Sequence, residues 1–100
     1  MAAYMIAVGR IDDQERFAKY LEGVVPTLGP HGGKPLALED PAEVLEGDAR
    51  FPRLVLLEFP SIDDVRNWYN SPEYKAVKEH RLASSEHVLY AVSEFVPPTE

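Results

Sequence analysis

The chain has 100 residues, 45% hydrophobic and 27% charged, which is the balance of a small globular domain and excludes a disordered or membrane-embedded class. Its formal net charge of −7, with no run of Lys or Arg, argues against a nucleic-acid partner, because an acidic surface repels phosphate. Cysteine is absent, which excludes disulfides, thiolate catalysis and sulfur-ligated metals and suits a reducing, cytoplasmic setting.

The N-terminal MAAYMIAVGR has no basic start and only a short apolar run, too short for a signal peptide or a membrane span, so no membrane partner is expected. Tyr4 to Val8 reads instead as a strand ending at Gly9. Asp12, with Glu15 three residues on, forms a capping box, and Phe17, Leu21, Val24 and Leu28 recur at helical spacing. A helix from Asp13 to about Val25 follows, stopped by Pro26, Gly29, Pro30 and the pair Gly32-Gly33. Leu36 to Leu38 is a second strand, interrupted at Asp40-Pro41 and resumed at Val44 to Glu46. RLVLLEF, Arg53 to Phe59, is the clearest strand in the chain. Ser61 caps a second helix with Asp64 at the matching position. Ser71-Pro72 starts a third, since Ser favours the cap and Pro the first helical position. HVLYAVSEF, His87 to Phe95, is the last strand. Residues 1–96 are expected to form one domain and 97–100 a flexible tail.

The order β-α-β-β-α-α-β is the split β-α-β plan of an α+β, ferredoxin-like domain with a four-stranded antiparallel sheet. Two helices cover one face of such a sheet. RLVLLEF, however, is apolar on both: Val55, Leu57 and Phe59 point one way, Leu54 and Leu56 the other. The last strand repeats this, with Val88, Tyr90 and Val92 opposite Leu89 and Ala91. A half-buried antiparallel strand should alternate apolar with polar. An exposed apolar face needs a cover, and a second copy is the simplest one, so a homodimer is expected.

Five short motifs stand in order along the chain: HGG at His31–Gly33, LEG at Leu45–Gly47, LEFPS at Leu57–Ser61, WYNSPEY at Trp68–Tyr74, and Arg81 further along the third helix. Together they resemble the family known as domain of unknown function 1330, from first strand to last. The resemblance implies a ferredoxin-like fold in the dimeric α/β-barrel superfamily, where two sheets pair to enclose a cavity. Relatives in that superfamily include cofactor-free monooxygenases, lactone isomerases and haem enzymes, so the scaffold is implied and the chemistry is left open.

Several residues are candidates for a site. Arg81 falls between Tyr74 and Val77 on the helical wheel and is drawn inward. A buried guanidinium needs a carboxylate or a ligand anion. Glu58 and Glu46, at apolar strand ends, are the expected partners, either as a structural ion pair or as part of a site. Glu58, among Leu56, Leu57 and Phe59, could also serve as a general base. His31, in a glycine-rich loop, is either a polar turn residue or an acid–base group. Trp68, Tyr69 and Tyr74 sit at helical spacing; Trp68 suits the core, and the two phenols could line a cavity. His80 is read as solvent-facing, and His87 carries no motif.

No partner for His31 stands at metal-ligand spacing, so no metal is expected. No phosphate loop, serine triad order or dinucleotide fingerprint is present, and no cofactor is expected. Two readings remain. The cavity binds or acts on a small anionic or phenolic organic molecule without a cofactor, in the manner of a monooxygenase or isomerase. Alternatively the chain is a non-catalytic ligand-binding, structural or regulatory dimer.

Overall fold

In a computed structural model, residues 1–98 are described. The tail expected at 97–100 therefore lies partly outside the described residues. The elements are β1 (Ala3–Ile11), α1 (Gln14–Leu28), β2 (Lys34–Glu39), β3 (Arg53–Phe59), α2 (Ile62–Tyr69), α3 (Pro72–Ser84) and β4 (Ser85–Ser93), with a single 3-10 turn at Gly29–His31. The four strands form one sheet in the order β2-β3-β1-β4, and every neighbouring pair is antiparallel.

The first helix departs from expectation at both ends. Its cap is Asp13, not Asp12: the Asp13 backbone is extended and its carboxylate accepts the Arg16 N–H at 3.1 Å. Asp12 turns away to take Arg10 Nε at 3.0 Å, while the N–H groups of residues 12 and 13 both donate to the Ser84 carbonyl. The helix then runs past Pro26 to Leu28. Pro26 removes one helical donor, but the extra turn places Thr27 and Leu28 in the core, and that burial outweighs one lost bond.

The other caps follow the sequence. Ser61 Oγ accepts the Asp64 N–H, and Ser71 Oγ accepts the Tyr74 N–H, each at 3.2 Å. The second strand is continuous from Lys34 to Glu39 with a bulge between Pro35 and Ala37; residues 44–46 do not resume it and lie in the connection to β3. β4 begins two residues earlier than expected, directly off α3, and ends at Ser93.

The glycine pair of the HGG motif has a structural purpose. Gly32 has φ +72°, and a Cβ there would sit 2.7 Å from Pro60 Cγ; one on Gly33 would sit 2.6 Å from Phe59 Cε2. Only glycine lets this turn close over the end of β3. The core packs Ala3, Met5 and Ala7 of β1 and Leu57 and Phe59 of β3 under Phe17, Tyr20 and Leu28 of α1 and Val65, Trp68 and Tyr74 of α2 and α3. Tyr4, Ile6, Val8, Leu54, Leu56, Val88, Tyr90 and Val92 have the opposite strand parity and lie on the face of the sheet away from the helices. The register sets them in rows, Leu54–Val8–Val88 and Leu56–Ile6–Tyr90. Among the described residues no helix is long and apolar enough to cross a membrane.

Candidate functional site

On the helix-covered face one cross-strand row differs from the rest. Gly9 of β1 pairs with Arg53 on β3 and with His87 on β4. Two strand spacings of about 4.8 Å place Arg53 and His87 roughly 10 Å apart at Cα, with no side chain between them. A Cβ on Gly9 would collide with the His87 ring. Phe17 closes the row from above: His87 stacks on it with centroids 5.6 Å apart and planes 13° apart, and the Arg53 guanidinium lies 5.0 Å from the same ring centroid.

Arg81 reaches the same place from the last turn of α3. It is 6% exposed, and its Nε donates to Tyr74 Oη at 3.2 Å. Tyr74 Oη and Tyr20 Oη share a further hydrogen bond of 3.0 Å. Burial first, then the neighbouring Tyr74, push the Tyr20 hydroxyl well above its ordinary range, so the Tyr20 phenol stays protonated. Arg53, Arg81 and His87 all border a cavity of about 120 Å3 between α1 and the sheet, otherwise lined by apolar side chains such as Leu21, Val24, Val55 and Leu89. Arg81 and His87 also border a second space of about 410 Å3, under α2 and beside β4.

The electrostatics of this cavity are one-sided. Arg53 is 7% exposed, and its Nε is buried without a hydrogen-bond partner. Among the described residues neither Arg53 nor Arg81 is in an ion pair, although acidic side chains outnumber basic ones by 17 to 10. Burial draws the Arg53 pKa down, with Asp40 opposing, yet a guanidinium stays charged at neutral pH. Burial, reinforced by Arg81 and Arg53 and opposed by Asp40, lowers the His87 pKa to about 4. His87 is therefore a neutral imidazole at pH 7.

A pH dependence of stability follows. Between about 4 and the ordinary value near 6.5 the unfolded chain holds the histidine proton and the folded chain does not, so stability falls as pH is lowered through that window. Urea unfolding at pH 7 and pH 5 should show a larger loss for the wild type than for His87→Gln. Equal losses would mean that His87 titrates normally in the fold.

The residues singled out in the sequence divide into three groups. Arg81 borders the cavity, and Tyr74 accepts its Nε–H without lining the space itself. Trp68 and Tyr69 border the second space: Trp68 is fully buried with Nε1 donating to Thr27 Oγ1 at 2.9 Å, and Tyr69 is 36% exposed with Lys78 Nζ 4.7 Å from its ring centroid. Glu58, Glu46 and His31 are elsewhere. Glu58 is on the opposite face of the sheet, 3.2 Å from Lys34, its register partner. The expected Arg81–Glu58 pair does not form, because Glu58 alternates with Leu57 and Phe59 and so points away from α3. Glu46 is exposed in the connection after β2, and His31 ends the 3-10 turn; neither borders either cavity.

Arg53 and His87 were missed, although the signal for Arg53 was present: it shares the strand parity of Val55, Leu57 and Phe59 and so had to face the helices. Among the described residues no three His, Asp or Glu converge as metal ligands.

A family model for a domain of unknown function (DUF1330) matches residues 2–95. The chain belongs to that family. Three solved structures place this DUF1330 member among known folds. A protein of unknown function from Rhodopseudomonas palustris aligns with a TM-score of 0.79 at 20% identity, covering 96% of this chain and 84% of that one. A dimeric ferredoxin-like protein of unknown function from Jannaschia sp. CCS1 gives a TM-score of 0.70 at 12% identity, covering 94% and 100%. SnoaB, a cofactor-independent oxygenase from Streptomyces nogalater, gives 0.60 at 13% identity, covering 97% and 98%. The DUF1330 chain thus has the ferredoxin-like fold expected from its element order. No curated protein matches its sequence.

Proposed function

We propose that the chain acts as a cytoplasmic homodimer that holds a small organic anion in the cavity between α1 and the sheet. The observation that carries this is the pair of buried guanidiniums, Arg53 and Arg81, neither with a carboxylate partner among the described residues. An unpaired buried charge costs several kcal/mol, so a fold that keeps two of them on one cavity is arranged for an anion that arrives from outside. The apolar lining takes the body of the ligand. Cavities of about 150 Å3 take up benzene, so this one, at about 120 Å3, suits a short-chain acid best.

The dimer is supported by the uncovered apolar face and by the dimeric ferredoxin-like proteins that share the fold. Turnover without a cofactor, monooxygenase- or isomerase-like, is supported by the structural likeness to SnoaB, described as a cofactor-independent oxygenase. Binding without turnover is the alternative within the same site.

A thermal-shift panel of butanoate, 2-oxobutanoate and benzoate tests the proposal on wild type and on the double variant Arg53→Met/Arg81→Met. A ligand at a hundred times its dissociation constant stabilises the fold by about 2.7 kcal/mol, several degrees for a domain of this size. At least one acid should shift the wild type and leave the double variant unmoved. No shift with any acid, or equal shifts in both proteins, would refute the site.

A further inference from the structure

The hydrogen bonds around His87 fix more than its position. Ser85 Oγ donates its one proton to the Arg81 carbonyl at 2.7 Å. The 2.8 Å contact between Ser85 Oγ and His87 Nδ1 must then run the other way, with Nδ1–H donating to the hydroxyl oxygen. In a neutral imidazole that leaves Nε2 with its lone pair free. Among the described residues Nε2 has no hydrogen-bond partner, and the ring borders both cavities beside Arg81. A site that presents two cationic forks and one fixed acceptor asks for a ligand with an acidic group and a donor next to it.

We propose that the ligand is a small hydroxy acid, its carboxylate against Arg53 and Arg81 and its hydroxyl donating to Nε2 of His87. This rests on the reading of the cavity as an organic-anion site and adds the feature that selects among anions. His87 is then the specificity-determining residue, and Ser85 is a positioning residue that holds the tautomer. The groups around the ring favour the neutral form: Arg81 on α3 and Arg53 on β3 disfavour a charged imidazole, while Asp40 at the end of β2 opposes them. Gly9 leaves the room in which the ring lies. A ligand lacking the hydroxyl would leave the Nε2 lone pair facing an apolar group, and a site built around a hydroxyl rejects such analogues.

Two measurements test the assignment. In the first, calorimetric titration at pH 7.5 compares 2-hydroxybutanoate with butanoate on wild type, His87→Phe and Ser85→Ala. The hydroxy acid should bind the wild type about tenfold more tightly than butanoate, the difference that one hydrogen bond supplies. His87→Phe keeps the ring stacked on Phe17 but removes the acceptor, and should bring the two acids to within about twofold. Ser85→Ala should narrow the gap between the two acids, which a merely structural Ser85 would not do. If both acids bind the wild type equally and binding is lost in Arg53→Met, the anion site stands and the hydroxy-acid assignment falls. If neither acid binds, the hydroxy-acid assignment falls, and the anion reading falls with it when 2-oxobutanoate and benzoate also leave the wild type unshifted. The second measurement is independent of ligand and of variant folding: the 15N shifts of His87 at pH 7.5 should show a protonated Nδ1 and an unprotonated Nε2. The opposite tautomer, or an imidazolium, would overturn the proposal.

Discussion

Tyr90→Asp should convert the protein from a dimer to a folded monomer at micromolar concentration. Tyr90 is 52% exposed at the β4 end of the row Leu56–Ile6–Tyr90, on the sheet face opposite the helices. Covering a side chain of this kind contributes about 1.5–3 kcal/mol, and a two-fold interface uses each such residue twice. An aspartate there removes that gain on both sides and brings two carboxylates into an apolar contact without a cation to pair them. The control is Leu82→Asp, somewhat more exposed at 60% but on α3, on the helical side of the sheet. Light scattering should give twice the chain mass for wild type and Leu82→Asp and the chain mass for Tyr90→Asp, with helical circular dichroism preserved in all three. A monomeric wild type, or a Tyr90→Asp protein that stays dimeric, would remove the uncovered face from the interface.

Much of the fold was legible because its signals are local. Ser61 and Ser71 capped the helices expected of them, and the two-sided apolar strand Arg53–Phe59 was found within its bounds. The errors arose where tertiary packing decides between local choices. Glu15 favours Asp12 as the cap in sequence, but the Ser84 carbonyl takes the N–H groups of both aspartates and the helix starts one residue later. Pro26 is a sound stop signal, overridden because Leu28 is worth more in the core than the helix loses at one donor. The site was half legible. Arg81 was placed by its helical phase, but its partner was sought in Glu58, whose strand parity already sent it to the far face. His87 had no sequence signal: it matters because Gly9, far away in the chain, pairs with it and makes space.

Arg53→Met is the most direct test of whether the cavity is built for an anion. If Arg53 were a structural residue, its replacement would cost stability, as breaking a buried ion pair costs about 3–5 kcal/mol. Among the described residues it has no such pair, and its Nε is unsatisfied. Its compensations are the attraction of Asp40, which forms no ion pair with it, and the contact with Phe17, a cation–π pair of a kind that contributes about 2 kcal/mol or more when desolvated. Methionine keeps the length and packing of the stem and removes a charge whose burial is costly. Denaturant unfolding at pH 7 should therefore give Arg53→Met a stability equal to or above that of the wild type, while the thermal shift with small carboxylates disappears, the trade expected of a strained binding site. A variant that loses several kcal/mol, or that is stabilised by the same acids as the wild type, would contradict the account.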